Sequence, residues 1–123
     1  IFYISGSPWG FRSRISDFFA RQGFPSGTIL LKRFSSDPLF DQETYKWQHI
    51  SRVVDSLPGK RWLLLGDSGE KDPEIYASLR EKRPGRVEAI YIHLVTNEEP
   101  TSPRFKDMRV FKDWADLDPP KLK

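Results

Sequence analysis

Two acids frame the segment Gly66-Asp67-Ser68-Gly69-Glu70-Lys71-Asp72: the first ends an apolar run and the second stands five residues later, where a helix can begin. Carboxylates so spaced suit a hard cation such as magnesium, which takes oxygen ligands and keeps several of its waters. The same spacing also suits a turn at Asp67 and a helix cap at Asp72 ahead of Pro73, so spacing leaves both readings open. Lys46 falls on a helical stripe with Ile50, Val53, Val54 and Leu57, close to the positive end of its helix, where a cation is disfavoured. A phosphate bound beside it would account for that placement, and so would a snorkelling stem with a solvated head. Ser5-Gly6-Ser7, after the first apolar run, could offer a hydroxyl and backbone N–H groups to a phosphoryl oxygen, although Ser7 reads equally as an N-cap. His49 and His93 stand alone without metal-ligand spacing and read as structural or surface residues.

These groups need elements to position them. Four short apolar runs, Ile1 to Ile4, Ile29 to Leu31, Trp62 to Leu65 and Val87 to Ile92, suit strands buried on both faces of a parallel sheet. Helical patterns separate them. The first has Ser7 as N-cap, Pro8 at its first position, Phe11, Ile15, Phe18 and Phe19 on one face, and Gly23 as stop; its aromatics read as core. The second can start at Asp41 and ends at Pro58-Gly59, and the third runs from Asp72-Pro73 to Lys82-Arg83-Pro84-Gly85 with Ile75, Tyr76 and Leu79 inward. Alternating strand and helix predicts an α/β fold with a doubly wound parallel sheet. In such a sheet the strand ends and helix starts share one rim, and Ser5, Lys46, Asp67 and Asp72 all fall there. They are expected to face one cleft. Beyond Val95 the chain reads as a loop, with one further short packed element between Met108 and Leu117.

Composition narrows the chemistry. A length of 123 residues fits one domain, and nine Phe, four Trp and four Tyr supply buriable side chains that a disordered tail would lack. With no Cys, disulfides, thiolate zinc sites and cysteine nucleophiles are excluded, and a reducing, cytoplasmic setting is expected. No apolar stretch approaches the roughly 18 residues of a membrane span. A net charge of +3 favours anionic partners, and without a basic stripe interleaved with exposed aromatics a membrane surface is expected over nucleic acid.

The runs Tyr3-Ile4-Ser5-Gly6-Ser7-Pro8-Trp9, Gly23-Phe24-Pro25-Ser26-Gly27, Leu64 through Tyr76, and Pro84 through Ile92 resemble the actin-patch-associated phosphatidate phosphatases of the haloacid dehalogenase superfamily. The resemblance implies a Rossmann-like sheet and a magnesium-dependent phosphomonoester hydrolase that turns phosphatidate into diacylglycerol through an aspartyl-phosphate. In that family pattern Ser5 holds a phosphoryl oxygen, Lys46 neutralises the phosphoryl group, and Asp67 with Asp72 holds Mg2+. On that pattern residues 1–95 are expected to be the C-terminal part of a catalytic domain, with 96–123 a loop and short extension. The family's Asp-x-Asp nucleophile follows a central strand expected to lie ahead of Ile1, so this chain alone is expected to be inactive. His93-Leu94 stands where the family has Arg-Asp. Expected partners are phosphatidate or another phosphomonoester, a peripheral membrane surface, and actin-patch or endocytic proteins. A rival reading is a non-catalytic module of the same fold that binds anionic lipid or serves as a scaffold.

Overall fold

The computed structural model describes residues 1–32 and 42–117, which fall into two units, Ile1–Ser56 and Leu57–Lys123. The first contains strand β1 (Phe2–Pro8), helix α1 (Arg12–Arg21), strand β2 (Thr28–Lys32) and helix α2 (Gln42–Ser56). The second contains β3 (Trp62–Asp67), α3 (Asp72–Lys82), β4 (Val87–His93) and β5 (Arg109–Phe111). All ladders are parallel: β1 pairs with β2, and β3, β4 and β5 lie side by side in that order. Parallel neighbours need a crossover, which α1 and α3 supply. This is the expected α/β class with parallel strands. The expected start of α2 at Asp41 lies outside the described residues.

The first unit departs from expectation at the entry to α1. Strand β1 runs on through Pro8, a 3-10 turn covers Trp9–Phe11, and the N-cap is Phe11 with no side-chain cap, so neither Ser7 nor Pro8 starts the helix. Continued pairing of Pro8 with Lys32, after a register shift beyond Ser5, keeps this stretch in the sheet. The end of α1 is as expected. Gly23, at φ 73°, turns the chain in the left-handed region, its N–H bonds the Ala20 carbonyl at 3.4 Å, and the Phe24 N–H bonds the Phe19 carbonyl at 2.9 Å. This is a Schellman closure, and the Phe19 and Phe24 rings stack across it at 4.8 Å. Yet Phe11 and Phe18 are exposed, contrary to the core expected of them, and α1 buries no residue fully.

In the second unit β4 has partners on both edges and buries Ile90, Tyr91 and Ile92 in succession, so both its faces are covered. Strand β3 does not follow the expected pattern of burial on both faces. Leu64 is buried while Leu63 and Leu65 are exposed, leaving one face open. Helix α3 packs Ile75, Tyr76 and Leu79 inward as expected. The packed element between Met108 and Leu117 is β5, whose Phe111 joins the core with Phe105 of the 3-10 turn Pro103–Phe105.

Candidate functional site

Asp67 ends β3 and Asp72 opens α3, and the structure joins them. The Asp67 backbone N–H donates to Asp72 Oδ2 at 3.1 Å, and the Gly69 N–H donates to Asp67 Oδ1 at 2.8 Å. Asp67 thus makes the turn that spacing allowed. Asp72 does not cap the helix: the N-cap position is Lys71, without a side-chain cap bond, and Asp72 reaches back to the strand end while only 5% exposed. A carboxylate in the first turn is favoured there by the helix dipole. Gly66 permits the close approach, because a Cβ at that position would lie 2.5 Å from Asp72 Oδ2 and 2.6 Å from Asp72 Cβ. Nothing in the spacing of the acids assigned Gly66 this role.

Two further polar residues brace this loop, and sequence patterns singled out neither. Ser68 is buried; its Oγ accepts the N–H groups of Val95 at 2.9 Å and Thr96 at 3.2 Å and lies 2.9 Å from Thr96 Oγ1. Arg104 bonds the carbonyls of Ser68 at 3.1 Å and Glu70 at 2.9 Å, and pairs with Glu74 at 2.9 Å and Glu98 at 2.7 Å. No local signal marks Arg104, since its partners lie as far as 36 residues away. Beneath the loop the Tyr76 hydroxyl donates to the Leu65 carbonyl at 2.9 Å. Burial, helped by the negative fields of Asp72, Asp67 and Glu70, pushes its pKa well above the usual tyrosine value.

The other two expected site residues belong to the first unit. Ser5 lies in β1, half-buried, in register with Leu31. Lys46 lies in the first turns of α2, also half-buried, and α2 packs on β1. Around the helix, Lys46 falls within the arc bounded by Tyr45 and Val54, both buried, with Ile50 between them. Tyr45 joins that face although the expected stripe omits it, and Leu57, which the stripe includes, is exposed and lies past the helix end. The structure therefore brings Asp67 and Asp72 together in one unit and places Ser5 and Lys46 on packed elements of the other.

Among the described residues no group of three or more His, Cys, Asp or Glu is arranged to hold a metal ion. The pair Asp67 and Asp72 still fits the partial set that Mg2+ uses, one or two carboxylates with water and phosphate oxygens completing the shell. His93 has a structural place, as expected: Nε2 lies 3.1 Å from the Lys112 carbonyl oxygen and the ring stacks on Phe111. The chain does contain one Asp-x-Asp triplet, Asp116-Leu117-Asp118. Asp116 closes a 3-10 turn rather than a strand, and Asp118 lies outside the described residues.

Known proteins match most of this chain. A family model described as "Phosphatidate phosphatase APP1, catalytic domain" matches residues 1–94. Phosphatidate phosphatase APP1 of Saccharomyces cerevisiae is 33% identical over 100 residues, 78% of this chain and 17% of that protein. An uncharacterized protein of Schizosaccharomyces pombe, C29B5.04c, is 28% identical over 102 residues, 80% of this chain and 17% of that protein. The chain thus spans about a sixth of the length of these curated relatives. No solved structure matches.

Proposed function

The chain belongs to the phosphatidate phosphatase APP1 catalytic-domain family, and we propose from that premise that its parent protein hydrolyses phosphatidate to diacylglycerol at a membrane surface. The observation that carries the reading is the acid pair at the β3 to α3 rim, tied by the Asp67 N–H to Asp72 Oδ2 bond inside the stretch that the family model covers. Asp67 and Asp72 would hold a divalent cation, for which Mg2+ is our choice. When bound, such an ion screens phosphate charge and polarises the phosphorus toward attack.

The roles proposed for this chain's own groups are those of the family pattern, and their chemistry suits them. Asp67, anchored by the Gly69 N–H, presents its carboxylate at the strand end, and Asp72 is held behind it. The Lys46 ammonium would neutralise the phosphoryl group and the Ser5 hydroxyl would donate to one of its oxygens. The nucleophile would be an aspartate of an Asp-x-Asp motif elsewhere in the parent, forming an aspartyl-phosphate that water then cleaves. Among the described strands β3 lies at the edge of its sheet, where a further strand could pair. A cytoplasmic protein peripheral to membranes and actin patches completes the reading.

The test is the full-length parent assayed with magnesium on phosphatidate in mixed micelles and on soluble phosphomonoesters. Turnover of phosphatidate is expected, with Asp67→Asn and Lys46→Met each lowering it at least about a hundredfold, the scale of losing a preorganised charge at a developing one. The 123-residue chain alone should show no turnover. Phosphatidate that is bound but left intact would favour the lipid-binding module instead, and hydrolysis of soluble esters alone would remove the lipid from the assignment.

A further inference from the structure

Arg104 lies beyond residues 1–94, where the family model stops, yet its guanidinium reaches the acidic loop at several points. Its Nε and Nη2 donate to both carboxylate oxygens of Glu74, at 2.9 and 3.0 Å. Nη1 donates to the Ser68 carbonyl at 3.1 Å and to Glu98 Oε1 at 2.7 Å, and Nη2 also donates to the Glu70 carbonyl at 2.9 Å. The two carbonyls flank Gly69, whose N–H holds Asp67 Oδ1. Glu74 sits in the same first turn of α3 as Asp72. One planar fork therefore grips the very peptide whose N–H orients Asp67 and the Glu70 carbonyl beyond it, and it grips the helix start that carries Asp72. The side chain is 23% exposed, so these charge-assisted bonds are partly sheltered from water. Glu98 also accepts the Thr96 hydroxyl at 2.9 Å, and Thr96 Oγ1 meets Ser68 Oγ, so the fork is itself braced.

We propose that Arg104 is a positioning residue for the acidic loop: by fixing the carbonyls of Ser68 and Glu70 together with Glu74, its guanidinium holds Asp67 and Asp72 in the geometry with which they engage a divalent cation. This rests on the metal-binding reading given above. Lysine cannot replace the fork, because a single ammonium cannot reach two carbonyls and a bidentate carboxylate at once. Groups that orient metal ligands typically matter about 10- to 100-fold in metal affinity or activity, and Arg104 falls in that class.

The experiment uses the full-length parent as wild type, Arg104→Ala, Arg104→Lys and Asp67→Asn. Mn2+ binding is followed by electron paramagnetic resonance, and turnover is measured against magnesium concentration. Arg104→Ala is expected to weaken Mn2+ binding about 10-fold and raise the half-saturating magnesium equally, with kcat at saturating magnesium much less affected. Arg104→Lys should stay defective, and millimolar guanidinium should partly restore the alanine variant. If Asp67→Asn binds Mn2+ as the wild type does, the metal reading fails, and this proposal with it. If Asp67→Asn loses Mn2+ while a folded Arg104→Ala keeps wild-type affinity, only the role of Arg104 is overturned. Should the arginine variants not fold, Glu74→Gln decides the matter: it removes the carboxylate that orients Arg104 and should weaken Mn2+ binding about threefold, a small share of the effect of such outer groups. Unchanged binding there would overturn the proposal.

Discussion

Helices α1 and α3 each present an apolar stripe and each connects a parallel pair of strands, yet they end very differently. Helix α1 carries Ile15, Phe18 and Phe19 and fully buries nothing; Phe18 is 54% exposed. Helix α3 carries as many, Ile75, Tyr76 and Leu79, and buries all three together with Asp72 and Pro73. The difference lies in what covers them. Helix α3 packs against β3, β4 and the 3-10 turn Pro103–Phe105, so three elements surround it. Helix α1 makes its principal contacts with β2 and its own entry turn, and its aromatics meet mainly one another, Phe24 and Tyr3. A stripe of apolar residues marks a face that seeks cover, and only neighbouring elements supply it.

The comparison can be broken most directly at Leu79, which is fully buried. Leu79→Ala is expected to destabilise the α3 region by about 2–5 kcal/mol, read as faster hydrogen exchange of the α3 amides in the full-length protein. An unchanged exchange rate would mean that the tight packing of α3 is not what sets it apart. Gly66→Ala comes next. A methyl group there meets the Asp72 carboxylate, so Asp72 must leave the Asp67 N–H. A cost of about 1–3 kcal/mol is expected, together with weaker Mn2+ binding, while Gly59→Ala, which has open space for its methyl, should leave binding unchanged.

Tyr76→Phe removes the donor to the Leu65 carbonyl and should cost about 1 kcal/mol at neutral pH. It also carries a pH signature whose sign is fixed. Because the folded-state pKa of Tyr76 is raised, the unfolded chain loses that proton first, and stability falls as pH rises beyond the ordinary tyrosine value near 10.0. Denaturant titrations across that range should show a slope in the wild type that the phenylalanine variant lacks. The smallest effect is expected at Phe18. Phe18→Ala should cost less than about 1 kcal/mol, the worth of its tilted ring contacts with Phe19 and Phe24. A loss as large as that at Leu79 would show that Phe18 is covered in the full-length protein.

Much of the second unit is legible in its residues alone. A continuous apolar run ending in Gly66-Asp67, followed by Asp72-Pro73 and an inward series at Ile75, Tyr76 and Leu79, specifies strand, turn and helix through local rules. The carboxylates at the two ends of that turn are therefore legible as candidates. Their mutual bond is not, because it depends on Gly66 leaving room at a distance set by how the helix folds back on the strand. The start of the first helix misleads for a related reason: Ser7 and Pro8 satisfy the local rules for a cap, but pairing of Pro8 with Lys32 keeps them in the sheet. Cross-strand hydrogen bonds outweigh a side-chain cap when both compete for the same backbone.

What the sequence determined by itself is the alternation of strand and helix, the α/β class that follows from it, and the identity of the acids at the β3 to α3 turn. These rest on periodicity and local backbone preference, which act over a few residues. What only the tertiary structure decided is which apolar faces are covered and what holds the acids in place. Leu63 and Leu65 stand open although they sit in an apolar run, and Arg104 grips a loop that lies 34 to 36 residues away. Such contacts join segments distant along the chain, and no local pattern encodes their meeting; the packing of β3, α3 and the segment after β4 brings them together.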